Sequence, residues 1–100
     1  MSNLSKLKPL TPPASVIAQV GSRAKARRRA LGMTQEQLAS RSGVSLGSLR
    51  RFEQTGQVSL ESLVRVARVL SCEDEIASLF AKPAYRTIRD VIDEQGKLSR

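Results

Sequence analysis

Residues 34–54, TQEQLASRSGVSLGSLRRFEQ, contain the signals for two short helices joined by a sharp turn. Thr34 followed by Gln37 has the T-x-x-Q form of a capping box, which marks the start of a helix. Gly43 can adopt a positive φ without strain, which allows the chain to turn and start a second helix. Helices joined this closely cross at about 90 to 120 degrees and need a small residue at the crossing, which Ala39 provides.

The residues before this stretch predict a first, longer helix that ends near Gly32. Residues suited to its inward side recur at intervals of three or four, and one of them is charged. The stripe consists of Ile17, Val20, Ala24, Arg28 and Leu31.

The residues after it predict two further helices. Ser59 is suited to cap a buried packing helix. The apolar residues of that helix are Leu60, Leu63, Val64, Ala67 and Leu70. Ser71, followed by acids suited to a helix N-terminus, predicts a fifth, short helix that reaches Leu79 and Phe80.

The charge of the chain favours a polyanionic partner. Seventeen Lys and Arg stand against nine Asp and Glu, which gives a formal charge of +8. Residues 1–32 hold seven bases and no acid, whereas residues 71–100 hold six acids and five bases. Such an excess of positive charge bears on binding partners rather than on the fold. Because the bases without acids lie in residues 1–32, we expect this end of the chain to face the polyanion.

The composition argues against catalysis and metal binding. The chain has no His and a single cysteine, Cys72, so an intramolecular disulfide and a zinc site of ordinary spacing are excluded. It has no Gly-rich phosphate loop and no G-x-S-x-G motif, and we therefore predict no enzymatic activity and no cofactor. With neither a membrane span nor a signal peptide in the sequence, we expect a cytoplasmic protein.

A helical wheel orients the second helix of the central stretch. Ser45 is suited to cap it, and with Leu49 placed inward, Phe52 and Glu53 also lean inward. The opposite side presents Gly47, Arg51 and Gln54, flanked by Ser48 and Arg50. An outward arginine such as Arg51 can pair with O6 and N7 of a guanine in a DNA major groove.

The chain resembles the lambda repressor and Cro, or Xre-like, helix-turn-helix family in two segments, RRRALGMTQEQLASRSGVSLGSLRRFEQ (27–54) and SLESLVRVARVL (59–70). The resemblance covers about residues 20–70 and rests on a combination of motif residues. These are Thr34, Gln35, Leu38, Ala39, Gly43, Val44, Ser45, Leu49, Glu53, Ser59 and Leu60. It implies an all-α, compact five-helix DNA-binding domain that binds operator DNA as a dimer.

The resemblance also implies roles for individual residues. The family's base-contacting positions match Ser45, Leu46, Gly47, Ser48 and Arg51. Leu46 and Gly47 depart from the usual pattern because neither offers a side-chain hydrogen bond, and Leu46 either touches a thymine methyl group or belongs to the core. Gln35 corresponds to the family's phosphate-clamping glutamine, and Arg50 is also better placed for phosphate than for bases.

Two charged residues are predicted to be structural. Arg28 and Glu53 each lie on the apolar side of their helix. In the family, the matching residues form an internal ion pair between the first and third helices. We therefore expect Arg28 and Glu53 to hold these helices together without touching bases.

These observations predict a sequence-specific transcriptional regulator of double-stranded DNA, a repressor that acts as a homodimer on an inverted-repeat operator at the bacterial nucleoid. The form FEQTGQVSLESLVRVARVL, residues 52–70, is similar to HipB-like antitoxins, which implies a HipA-like kinase toxin as a partner. A phage-type or metabolic repressor, a protein-interaction module and a basic DNA-binding protein of low sequence preference stay open as alternatives.

The domain organisation follows from the same signals. We expect a flexible basic arm over residues 1–13, the DNA-binding domain over residues 14–82 and a tail over residues 83–100 that is available to a partner. Apolar residues around 88–92 allow one or two last helical turns in that tail.

Overall fold

A computed structural model describes residues 12–84 of the chain. Five helices and no strand occupy this region, so the all-α fold predicted from the sequence is confirmed. The helices are α1 Pro13–Ala30, α2 Gln35–Ser42, α3 Leu46–Thr55, α4 Leu60–Val69 and α5 Glu73–Ala77. Residues 1–11 of the arm predicted over 1–13, residues 85–100 of the tail predicted over 83–100 and the helical turns expected around 88–92 lie outside the described residues. Pro13, the last residue of the predicted arm, is the first residue of α1.

The predicted helix caps are present. The Thr34 hydroxyl accepts a hydrogen bond from the Gln37 amide, and the Gln37 side chain accepts one from the Thr34 amide, which completes the capping box. The Ser45 and Ser59 hydroxyls accept hydrogen bonds from amides in the first turns of α3 and α4. Gly43 ends α2 with a φ of 73°, the left-handed conformation that its position required.

The core lies where α2, α3 and α4 meet. α1 packs on α3, α2 packs on both α3 and α4, and α5 packs on α4. The buried apolar residues are Met33, Leu38, Ala39, Val44, Leu49, Phe52, Val66, Ala67 and Leu70. Because Leu49 and Phe52 are fully buried, the inner side of α3 is fixed against the core and its opposite side is left to the solvent.

The apolar stripes predicted for α1 and α4 were wrong in part. In α1, Ile17, Val20 and Leu31 are exposed, and the inward side that remains is Ala24 with Arg28. In α4, Leu60 is exposed, whereas Val66, which the predicted stripe omitted, is almost completely buried. α4 therefore turns a slightly different side to the core than its apolar spacing indicates. Both misplaced leucines lie next to a helix end, where fewer neighbouring segments are available to cover a side chain.

The predicted end of the fifth helix was also wrong. α5 begins at Glu73, directly after Cys72, and it ends at Ala77 rather than at Phe80. Leu79 and Phe80 are both exposed, and Phe80 is 99% accessible with a φ of 60°. Because no part of residues 12–84 covers these side chains, burial does not favour another helical turn.

α1 and α3 approach each other closely at a pair of glycines that the sequence reasoning did not identify. Gly21 of α1 is buried, and a Cβ added there would collide with the Phe52 carbonyl oxygen and lie 3.1 Å from the Cα of Gly56. Gly56 ends α3 with a φ of 81°, and a Cβ there would collide with the Ile17 carbonyl oxygen. The contact is therefore backbone against backbone, which only residues without a side chain allow.

Candidate nucleic-acid interface

The outer face of α3 consists of five exposed residues on the side of the helix opposite Leu49. They are Gly47, Ser48, Arg50, Arg51 and Gln54. Apart from its chain neighbours and the backbone of α3 itself, no atom of the described residues lies within 4 Å of where a Gly47 Cβ would be, so the first turn of α3 is open to an approaching ligand. An exposed helix with two arginines on one side has the width and charge to enter a major groove.

The first turn of α3 is held by serine hydroxyls. Ser45 Oγ accepts a hydrogen bond from the Ser48 amide at 3.1 Å and donates one to Ser48 Oγ at 2.8 Å. Both hydroxyls are exposed at the same end of the helix as Gly47. Ser45, Gly47 and Ser48 are thus brought together as one short polar surface.

Leu46 is placed differently from these neighbours. Its side chain is half-buried and packs against the core between α2, α3 and α4. Of the two interpretations that the sequence left open, the structure favours the core. This packing draws the Leu46 side chain away from the outer face of α3.

Arg28 and Glu53 form a two-point ion pair between α1 and α3. Arg28 Nε donates to Glu53 Oε2 at 2.7 Å and Arg28 Nη2 donates to Glu53 Oε1 at 3.0 Å. Arg28 Nη1 also donates to the Met33 carbonyl oxygen at 2.8 Å. The two side chains are only 8% and 1% exposed, so each charge depends on the other for its solvation.

The pKa of Glu53 reflects two opposed effects. Burial by itself raises the pKa of this carboxyl group, but the hydrogen bonds from Arg28 and Gln35, with the charges of Arg28 and Lys25, outweigh burial and leave the pKa below its usual value. The hydrogen bonds to Glu53 raise the pKa of Arg28. Both groups are therefore charged at neutral pH, and the pair holds α3 at a set orientation relative to α1.

Gln35 connects this buried pair to the protein surface. Its Nε2 donates to Glu53 Oε1 at 3.0 Å, and its Oε1 accepts from Arg50 Nε at 3.4 Å. The sequence assigned Gln35 to a phosphate and did not foresee either contact. Two hydrogen-bond donors at this point can still bind a ligand. They are the second amide hydrogen of the Gln35 side chain and the backbone amide at the start of α2.

A recess beside the outer face of α3 adds Gln57, Val58, Ser59 and Ser62 to the residues predicted for the site. Its walls come from α3, the segment after it and the first turn of α4. The lining residues are Ser48, Arg51, Gln57, Val58, Ser59 and Ser62. Because the α4 N-terminus carries partial positive charge, this recess suits an anionic group next to α3.

The sequence profile of the helix-turn-helix family matches residues 25–75, more than half of the chain. The chain belongs to this family. The match includes the whole of α2, α3 and α4 and therefore every residue of the outer face of α3. No curated protein and no solved structure was found to match the chain.

As a helix-turn-helix protein, the chain is a DNA-binding regulator of transcription. Within residues 12–84, every helix is too short or too polar to span a bilayer. The same part of the chain contains no group of three or more Cys, Asp or Glu residues that could hold a metal ion.

Proposed function

We propose that the protein is a sequence-specific repressor that binds an inverted-repeat operator as a homodimer, with α3 as its recognition helix. The observation that carries this proposal is the outer face of α3, which is exposed along its length while Leu49, Phe52 and Glu53 anchor the inner side. An anchored helix with a free polar side meets the geometric requirement for reading a major groove.

The residues of the site divide into two roles. Arg51 reads a base, and Ser45, Gly47 and Ser48 bring the start of α3 close to the base edges. Leu46 supports this surface from the core side. Gln35 and Arg50 contact phosphates, which position the protein on the duplex without carrying sequence information.

Arg51 is the residue on which sequence preference is expected to depend. Arg51→Ala should weaken binding to the preferred duplex by about 1 to 3 kcal/mol and relax the preference at one base position. The measurement is selection from a random duplex library, followed by titration of the selected sequence and its single-base variants.

Arg50→Ala is the matched control, because it removes the same charge from the same helix. It should weaken binding to all sequences by a similar factor, with the base preference unchanged. An equal, sequence-independent loss in both variants would show that Arg51 contacts phosphate and would remove the basis for sequence reading by this residue.

The dimer follows from what one helix can read. A single recognition helix with few hydrogen-bond donors contacts only a few base pairs, which does not distinguish one site among the roughly 10⁶ or more in a genome. We place the dimer contact at the exposed apolar residues after α5, because Leu79 and Phe80 are both uncovered in the described part of the chain, residues 12–84.

Binding as a dimer should give a footprint of two inverted half-sites whose centres lie about 34 to 36 Å apart, or a multiple of that. If the dimer neutralises about six to ten phosphates, log affinity should fall against log salt with a slope of about −5 to −9. Sedimentation at binding concentrations should show a dimer, and Phe80→Asp should shift it to the monomer and weaken operator binding. A monomer bound to one asymmetric half-site, with a slope near about −2, would contradict the dimer.

A second candidate function uses the same apolar surface. A HipB-like antitoxin represses its own operon and also binds a HipA-like kinase toxin, so it needs a protein-binding surface outside α2 and α3. The exposed Leu79 and Phe80 are compatible with that requirement. The decisive observation is whether the adjacent reading frame encodes such a kinase and whether the two purified proteins form a complex.

A further inference from the structure

Arg50, on the outer face of α3, is in contact with two side chains of α2. Its Nε donates to Gln35 Oε1 at 3.4 Å, and its Nη2 lies 3.7 Å from Glu36 Oε1. The side chains of Arg50 and Glu36 are 54% and 64% exposed, so this ion pair is formed in solvent. The arginine that we assign to a phosphate is therefore already beside a carboxylate.

Glu36 differs in charge and exposure from the other residues of α2 and α3. Along α2 and α3, which both lie within the described region, it is the single exposed acid, because Glu53 is buried against Arg28. An exposed pair of this kind contributes little to folding. The position in the first turn of α2 favours a negative charge, but it also places that charge where DNA phosphate would approach.

We infer that Glu36 competes with DNA phosphate for Arg50 and so lowers the affinity of the protein for DNA of any sequence. This inference rests on the proposed function, since it requires α3 and the start of α2 to face DNA. When a phosphate binds Arg50, the guanidinium group has to leave Glu36. The Glu36 carboxylate then has no positively charged partner and lies close to the negatively charged phosphate, which weakens binding. Glu36 thus removes part of the gain in affinity that Arg50 gives.

The contact with Gln35 explains why Arg50 lies close enough to Glu36 for this competition. Its amide is held by the buried Glu53, so the oxygen that faces Arg50 is fixed in place. Arg50 is consequently kept near the start of α2, within reach of Glu36, instead of extending freely into solvent. The buried ion pair and the exposed one are connected through this one amide.

The test is the affinity of Glu36→Gln for a random-sequence 30-base-pair duplex, measured across a range of salt concentrations. A random duplex is sufficient because phosphate contacts are common to all sequences. Glu36→Gln should bind about threefold to tenfold more tightly near 0.1 M salt, and the salt slope should steepen by up to about one unit, the equivalent of one more phosphate contact. Thermal unfolding of each variant checks that the fold is retained.

Glu73→Gln is the matched control for net charge. It also removes one negative charge from an exposed ion pair, that of Glu73 with Arg68, but on α5. Its affinity should stay close to that of the wild type. An equal gain in both variants would show an effect of overall charge and would overturn the inference.

A double-mutant cycle isolates the role of Arg50. In an Arg50→Ala background, Glu36→Gln should gain clearly less than it does in the wild type, because no arginine is left to compete for and only the direct repulsion between Glu36 and phosphate is relieved. An undiminished gain in that background, or weaker binding by Glu36→Gln alone, would overturn the inference. If the wild type binds no duplex DNA at any salt concentration, both the proposed function and this inference are wrong. If the wild type binds DNA but Glu36→Gln does not change the affinity, only the competition is refuted.

Discussion

Replacing Gly21 with alanine is expected to lower the free energy of unfolding by about 3 kcal/mol. The new Cβ would collide with the Phe52 carbonyl oxygen and lie 3.1 Å from two backbone atoms of Gly56. Neither neighbour can rotate away as a side chain does, so α1 and α3 must separate. Thermal unfolding followed by circular dichroism should show a melting temperature lower by on the order of 10 to 20 °C.

Gly47→Ala is the control, because it makes the same change in a helix. Within residues 12–84, nothing beyond its own helix and chain neighbours lies within 4 Å of that Cβ, so the variant should gain up to about 1 kcal/mol from the higher helix propensity of alanine. An unchanged melting temperature in Gly21→Ala would mean that α1 and α3 are not in backbone contact as described.

Glu53→Ala is expected to cost about 3 to 5 kcal/mol, because it leaves the Arg28 guanidinium buried without its partner. It also removes the acceptor that holds the Gln35 amide. Urea unfolding measures the loss at neutral pH. Glu61→Ala, which breaks an exposed pair with Arg65 at 3.5 Å, should change stability by no more than about 0.5 kcal/mol.

The same carboxyl group makes stability depend on pH. Because the pKa of Glu53 is lower in the folded state than its usual value, the ionised group contributes fully above the unfolded value, about 4.3, and this contribution is lost as the pH falls through the folded pKa. The wild type should therefore lose stability below about pH 4 more steeply than Glu53→Gln does. Parallel pH profiles of the two proteins would show that Glu53 is not held as an ion pair.

Local signals of the sequence were sufficient for the starts of α2, α3 and α4 and for the orientation of α3. A cap is formed between residues three or four positions apart, so Thr34 with Gln37 could be identified from the sequence alone. The inward position of Leu49, Phe52 and Glu53 follows from helical periodicity in the same way. The family resemblance added the partner of Glu53, which lies 25 residues away in the chain.

The contacts of the candidate site could not be obtained in this way. That Gln35 joins Glu53 to Arg50 depends on how far α2 and α3 are turned about their axes, since a rotation of a few tens of degrees would separate these atoms. The pairing of Arg50 with Glu36 depends on the same rotation. Spacing within one helix carries no information about this angle.

The sequence by itself determined the order of the helices, the caps of α2, α3 and α4, the turn at Gly43 and the positively charged outer face of α3. These features depend on backbone geometry and periodicity within one or two turns of helix. Only the tertiary structure decided that Gly21 and Gly56 touch and which side of α4 is buried. The tertiary structure also decided which groups surround Arg50. Those outcomes depend on packing between segments distant in the chain, where the best fit of whole surfaces, rather than any local preference, sets the arrangement.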